Sequence, residues 1–408
     1  MRKIKGHVAL IQFSDFGLGR GLYLAKALSL LGLNVTIFTN KSVYAPTQKF
    51  SGDLTLDSSV KVTEFRIPFA KTLYSSILGR LIIYVTFTML SCLEIFMENP
   101  QPKILFSRGP QPFTEISCIL YKAFHNSEVK IISDTTDLWP DALEYIQINE
   151  TLKDLLIGIG HAINNLIYPK VDAIVTFNEE LSKVLQERFG RTTHIVYGVI
   201  DLDRFKPMGK KEALETLPQN IRKKVSGKFT VLYAGLLGPF QNPLVILEIA
   251  KKIAEDNEVL FIIAGTGLLK ESMEREVKKY GLGNVLFLET QPFENMPLIY
   301  NIADVFLLMY APIEFLRIGL PKKFIEYAAC GKPILCISPP CVASRLCLKW
   351  KAGYHVSPPD IETAANVIKI LKENKKLKEE MSKNARQLAE DLFSLNDAAE
   401  TLRKIIHA

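Results

Sequence analysis

The segment Glu314-Phe315-Leu316-Arg317-Ile318-Gly319-Leu320-Pro321-Lys322-Lys323-Phe324-Ile325-Glu326 brings three cations and a terminal carboxylate into one short stretch. Guanidinium and ammonium groups at Arg317, Lys322 and Lys323 can neutralise a diphosphate while Glu326 accepts from ribose hydroxyls. A solvated basic face is the alternative. Upstream, Gly235-Leu236-Leu237-Gly238-Pro239-Phe240-Gln241 and Ala264-Gly265-Thr266-Gly267 each follow an apolar run and precede a helix-length segment. Glycines there let backbone N–H groups approach an anion at a helix N-terminus. A third loop, Ser14-Asp15-Phe16-Gly17-Leu18-Gly19-Arg20-Gly21, precedes the amphipathic YLAKALSLLG. Gly17 and Gly19 are placed either to line a phosphate or only to make a tight turn. As a dinucleotide fingerprint the loop fails, because Leu22 stands at the third glycine position and the second strand ends in Thr39-Asn40-Lys41, without a ribose-binding acid. In Ser133-Asp134-Thr135-Thr136-Asp137-Leu138-Trp139-Pro140-Asp141, carboxylates surround one of only two tryptophans, which reads as a polar site with an apolar wall. Capping of a helix opened near Pro140 by Asp137 or Asp141 is compatible with that site.

Such loops need strands to carry them, and the periodicity supplies two sets. Before residue 205, short β-rich runs at 8–13, 35–39, 103–107, 130–133 and 173–177 alternate with helix-length segments, as in a parallel α/β sheet. FTVLYAG, VLFIIAG, NVLFLE, DVFLLMY and PILCIS repeat the plan in the second half. Between them, Asp203 to Lys228 is polar and reads as a linker with one short helix. The expected division is residues 1–204, joined by a C-terminal helix at 396–408, and residues 205–395. Two such sheets make a cleft with ligands outside the carboxyl ends of the strands, so the site is expected between the domains.

A chain of 408 residues exceeds one ordinary core, which rules out a small binding module, and 48% hydrophobic with 23% charged residues excludes disorder. The net charge of +7 permits anionic partners without demanding nucleic acid. Mean hydropathy is high, at +0.13, yet the longest apolar run, Leu81 to Leu93, falls short of the roughly 18 residues a spanning helix needs. It and Leu152 to Ile167 are expected to be core helices, with shallow membrane contact as the alternative. The basic N-terminus lacks a cleavage site and reads as a first strand. Six cysteines without a paired or His-flanked spacing point to free thiols in a reducing compartment and away from zinc. Asp201-Leu202-Asp203 matches a metal-binding D-x-D, but its place at the domain junction argues against a metal there.

YAGLLGPFQNP, IIAGTG, NVLFLE, ADVFLL and LPKKFIEYAACGKPIL resemble, in order, glycosyltransferase family 4 of the GT-B fold. The resemblance extends over nearly the whole chain through LAKALSLLG, DLWPDAL, VDAIVTFNEELSKVL and HIVYGVIDLDRFKP. It is nearest to members that build surface polysaccharides and lipid-linked glycans. It implies an α/β architecture of two facing doubly wound domains, with Glu326 as the second glutamate of the family's E-x7-E motif on the donor ribose. Lys323, with Arg317 or Lys322, would meet the diphosphate. Gly17 and Gly19 would line the phosphate and acceptor side. Gly265 and Gly267 would approach the base with the Glu289 to Phe293 loop, which includes Gln291, and Gly238 and Gln241 complete the donor side. Three departures stand out: Ile318 occupies the place of the first glutamate, leaving the donor-sugar contact absent or supplied by Glu314; Leu236 and Gln241 stand where Arg and Lys are usual; Thr136 precedes Asp137 where many members carry His.

The implied activity is transfer of a hexose, with retention, from a nucleoside diphosphate sugar to a lipid-linked or glycan acceptor, without metal or other cofactor. Arg317, Lys322 and Lys323 would stabilise the departing diphosphate, and Asp137 would orient acceptor or sugar hydroxyls. The expected location is the cytoplasm, at the inner face of the cell membrane, in polysaccharide or protein glycosylation. Two other classes fit the departures: a weakened nucleotide-sugar-binding scaffold, and a nucleotide-sugar epimerase.

Overall fold

Apolar runs without polar alternation become strands covered on both faces, and among the described residues every strand pair is parallel. The computed structural model describes residues 4–13, 19–41, 58–74, 76–109, 113–125, 127–145, 148–289, 291–358 and 360–408. The chain forms two compact units, residues 1–199 with 395–408, and residues 200–394.

The first unit runs β1 (His7–Gln12), α1 (Gly19–Leu30), β2 (Asn34–Asn40), β3 (Val60–Phe65), α2 (Ala70–Leu73), α3 (Ile77–Met97), β4 (Ile104–Arg108), α4 (Phe113–Phe124), β5 (Lys130–Asp134), α5 (Glu150–Ile167), β6 (Ala173–Thr176), α6 (Glu179–Phe189) and β7 (Thr193–Ile195). Its sheet order is β3-β2-β1-β4-β5-β6-β7. The strand order therefore reverses between β1 and β4, where Gln12 pairs with Arg108 in register. Fully buried Glu115 on α4 ties β4 to β5, accepting from Ser107 Oγ at 3.1 Å and Ser133 Oγ at 2.7 Å.

The second unit runs α7 (Lys210–Glu215), α8 (Gln219–Val225), β8 (Phe229–Ala234), α9 (Leu244–Lys252), β9 (Val259–Ala264), α10 (Lys270–Tyr280), β10 (Val285–Leu288), α11 (Met296–Asn301), β11 (Val305–Met309), α12 (Lys322–Ala329), β12 (Ile334–Ile337), α13 (Val342–Lys349), β13 (Gly353–Val356), α14 (Ile361–Glu373) and α15 (Lys375–Leu392). The order β10-β9-β8-β11-β12-β13 reverses between β8 and β11. The polar linker holds two short helices, α7 and α8, instead of the one expected. Asp304 pins it: its Oδ2 accepts from Lys210 Nζ on α7 at 2.5 Å and from the backbone N–H of Thr230 at 3.0 Å. α16 (Leu395–His407) then belongs to the first unit, where Ala398, Ala399, Leu402 and Ile405 join its core beside α1.

The two apolar segments expected as core helices are corrected. α3 reaches from Ile77 to Met97, and Leu78–Met97 is long and apolar enough to cross a membrane by length and composition, with only 28% of its most apolar window buried. Leu78, Ile82, Val85, Met89 and Leu93 are exposed at helical spacing, and α5 exposes Leu152, Leu155, Ile159 and Leu166. Apolarity marked both helices; which faces the sheet covers is decided by packing alone.

Candidate active site

At the reversal point of the second sheet, the carboxyl ends of β8 and β9 border a cavity of about 280 Å³ lined by Ala234, Gly235, Leu236, Ala264, Gly265, Thr266, Gln291, Met296, Tyr300, Lys323 and Glu326. Glycine is required at its mouth. A Cβ on Gly265 would lie 1.9 Å from the carbonyl oxygen of Gly235, and one on Gly267, at φ +151°, would lie 2.5 Å from that of Leu237. Both crossings are backbone against backbone and no rotamer relieves them.

The first turn of α12 delivers the charges. Lys323 Nζ donates to Tyr233 Oη at 2.9 Å and sits 4.2 Å from the centre of that ring, a cation–π placement. Burial lowers its pKa to about 8, with the nearby Glu326 opposing the shift. Such a lysine is under-compensated and gains from an anion. Glu326, one turn on, is 5% exposed and accepts from Tyr300 Oη at 2.7 Å. Burial, then the Glu326 charge, raises the Tyr300 phenol well above its usual range, so it stays a donor. Tyr327 locks the helix to the strand: its Oη accepts from the backbone N–H of Ala234 at 2.8 Å. The helix is therefore fixed before any ligand arrives.

The other sequence candidates distribute differently. Lys322 is exposed and its Nζ lies 3.3 Å from Glu326 Oε1. Arg317 is on a 3₁₀ turn, Glu314–Ile318, exposed and paired with Glu314 at 2.9 Å, and it does not line the cavity. Gly238 opens the 3₁₀ turn Pro239–Gln241, and Gln241 Oε1 is buried without a hydrogen-bond partner among the described residues. Neither lines this cavity. Gln291 does line it, and donates from Nε2 to the carbonyl of Glu289. Asp201 Oδ1 accepts the backbone N–H of Asp203 and of Arg204, a turn built on itself. Among the described residues there is no cluster of three potential metal-ligating side chains.

In the first unit, Gly17 lies outside the described residues, and Gly19 starts α1 at φ +40°. In the first turn of α1, Arg20 binds Asp134 through Nε (3.0 Å) and Nη2 (2.9 Å), and also donates to the carbonyls of Val196 and Tyr197, at 2.7 Å each. Arg108 Nε donates to Asp134 Oδ2 at 3.0 Å. Asp137 lies within electrostatic reach of Arg108; burial raises its pKa and Arg108 counters that. Tyr233, Tyr300 and Arg108 are the residues that motif reading passed over; Arg20 and Asp134 stood within the glycine-loop and Ser133–Asp141 motifs without a role of their own. The one signal for Arg108 was a charged residue closing an apolar strand, KILFSR.

Residues 218–388 match the family described as glycosyl transferases group 1. That segment is a glycosyl transferases group 1 domain. It holds every donor-side candidate, while Arg20, Arg108, Asp134 and Asp137 lie outside it. Over 258 residues the chain is 23% identical to the putative glycosyltransferase YtcC of Bacillus subtilis (strain 168), a match covering 59% of this chain and 61% of that protein. It thus spans about three-fifths of that relative. Among solved structures, Anabaena Alr3699/HepE in complex with UDP superposes with a TM-score of 0.69 at 14% identity, over 98% of this chain and 99% of that one. Sucrose-phosphate synthase (tll1590) from Thermosynechococcus elongatus does so with a TM-score of 0.69 at 17% identity, over 98% of each. At such identities the likeness establishes the fold, two Rossmann-like α/β domains of the GT-B type, in which the group 1 domain is the second.

Proposed function

We propose that the chain is a retaining glycosyltransferase of family 4 type that moves a hexose from a nucleoside diphosphate sugar to a lipid-linked or glycan acceptor. The observation that carries this reading is the pairing of Lys323 with Glu326 in one glycine-walled cavity of the group 1 domain. A diphosphate replaces the missing counter-charge of Lys323, and the free lone pairs of Glu326 accept from the ribose diol. As the bond from the anomeric carbon to the β-phosphate oxygen breaks, negative charge grows beside Lys323, where it lowers the barrier most. Arg317, paired elsewhere, is left out of that step. UDP bound to the HepE structure makes UDP-sugars the first donors to try. Incubation of the full chain with UDP-, GDP- and TDP-hexoses and a panel of phosphorylated lipid and glycan acceptors should give transfer. Turnover of donor alone into an isomeric sugar would replace this reading with epimerisation, and binding without any turnover would replace it with a scaffold.

A peripheral membrane contact at the cytoplasmic face belongs to the same reading. Its support is that no charge interrupts α3 from Leu81 to Leu93, while Met89 and Leu93 are 62% and 61% exposed. Helices α3, α4 and α5 are neighbours, and Phe124 on α4 and Leu155 on α5 are also exposed. The six free cysteines fit a reducing compartment. Flotation with liposomes should recover the wild type, and Met89→Glu with Leu93→Glu should cut that recovery about tenfold or more, since each charge opposes insertion. Equal recovery of both would remove the membrane contact.

A further inference from the structure

Where the strand order of the first sheet reverses, two guanidinium groups share one carboxylate. Asp134 is fully buried, at the carboxyl end of β5. Arg20, from the first turn of α1, and Arg108, from the end of β4, both bind it. The three groups sum to one excess positive charge, offset in part by Asp137, at the edge where ligands enter doubly wound sheets. The two arginines are not equivalent. Arg20 spends its Nε, Nη1 and Nη2 on Asp134 and two backbone carbonyls, so it is a strut. Arg108 is held at Nε only, and its Nη1 and Nη2 make no hydrogen bond among the described residues. Its side chain is 21% exposed, against 11% for Arg20 and none for Asp134. A planar fork fixed from behind and open in front suits two oxygens of a phosphate bidentately.

We infer that Arg108, oriented by Asp134 and Arg20, binds a phosphate group of the acceptor in the first unit. Two further observations agree with it. Burial pulls the Arg108 guanidinium below its usual pKa despite Asp134, as for a cation whose charge is not fully answered. Asp137 stands close enough to repel a bound anion; burial raises its pKa and Arg108 lowers it, so the two side chains act on one another across that edge. The word acceptor rests on the transfer reading above; the anion site does not.

The test is calorimetric titration of the full chain with inorganic pyrophosphate in a Lys323→Ala background, which removes the donor-side cation. Adding Arg108→Gln should weaken the remaining binding about tenfold or more, the loss of one charge-assisted pair. Arg108→Lys, which keeps the charge without the fork, should fall between. Asp137→Asn should tighten binding, whereas a site for neutral sugar hydroxyls would show no pyrophosphate binding and a loss with Asn. Pyrophosphate affinity unchanged by Arg108→Gln, in a protein with an unaltered thermal melt, overturns the inference. Vesicles with and without a polyprenyl phosphate, compared in a Met89→Glu, Leu93→Glu background that removes the α3 contact, identify the source. Loss of their retention in Arg108→Gln assigns the group to a lipid-linked acceptor. Unchanged retention with lost pyrophosphate binding assigns it to a soluble one, and either outcome upholds the site.

Discussion

Each unit places charge at the point where its sheet reverses direction, but the two are built by different means. In the second unit a cation and a carboxylate stand one turn apart on a single helix, and tyrosines hold both, Tyr233 under Lys323 and Tyr300 on Glu326. In the first unit the charges arrive from three elements, with 26 residues between Arg108 and Asp134 and 114 between Arg20 and Asp134. There the carboxylate is structural and fully enclosed, and the cation is what faces outward. A site whose charges stand on one helix can be read from a motif. A site assembled from strand ends depends on the packing beneath it.

The comparison breaks first at Lys323. Lys323→Ala should lower kcat by about 10²–10³-fold, the range for losing one pre-placed charge at a developing anion, while the thermal melt stays within about 1 °C. Near-wild-type turnover would show that the second site is not the donor site. Next in size is the support of the first site. Glu115→Ala strands the hydroxyls of Ser107 and Thr114 and leaves that of Ser133 only Thr135, so unfolding of the first unit should become easier by about 2–3 kcal/mol. The group 1 domain should melt as before, and denaturant curves read by probes in each unit separate the two outcomes. A single unchanged transition would mean that the hydroxyl network carries no weight.

The smallest effect sharpens the contrast in charge state. Lys323 loses its proton near pH 8, well below an ordinary lysine, and a bound diphosphate raises that pKa again. Donor binding at pH 8 should therefore take up a fraction of a proton, falling toward zero at pH 6, where the lysine is already charged. Titration in two buffers of different ionisation enthalpy measures the uptake. Lys323→Arg should abolish it, because a guanidinium remains charged throughout.

Both sheets were legible in the apolar runs except at their edges, where β3 and β7 of the first and the four-residue β13 of the second were not read. β3, VKVTEF, alternates with charge because one side of an edge strand faces water, and β7 has only three residues. Neither gives a continuous apolar signal. Lys323, Glu326, Gly265 and Gln291 were legible because a helix start and glycine turns carry them locally. Proximity in sequence put Arg317 with the lysines, while the 3₁₀ turn pairs it with Glu314. Tyr300 was invisible, since a tyrosine 26 residues upstream acquires its role only when α11 packs against α12.

The uncharged outer stripe of α3 also governs how the molecule behaves in a flask. Salts such as sulfate and phosphate are excluded from protein surfaces and strengthen the pairing of exposed apolar faces, while like charges elsewhere hold copies apart only at low ionic strength. Concentrating this chain in such salts should bring α3 against α3 of another copy before any other surface associates, giving clouding that detergent below its solubilising concentration reverses.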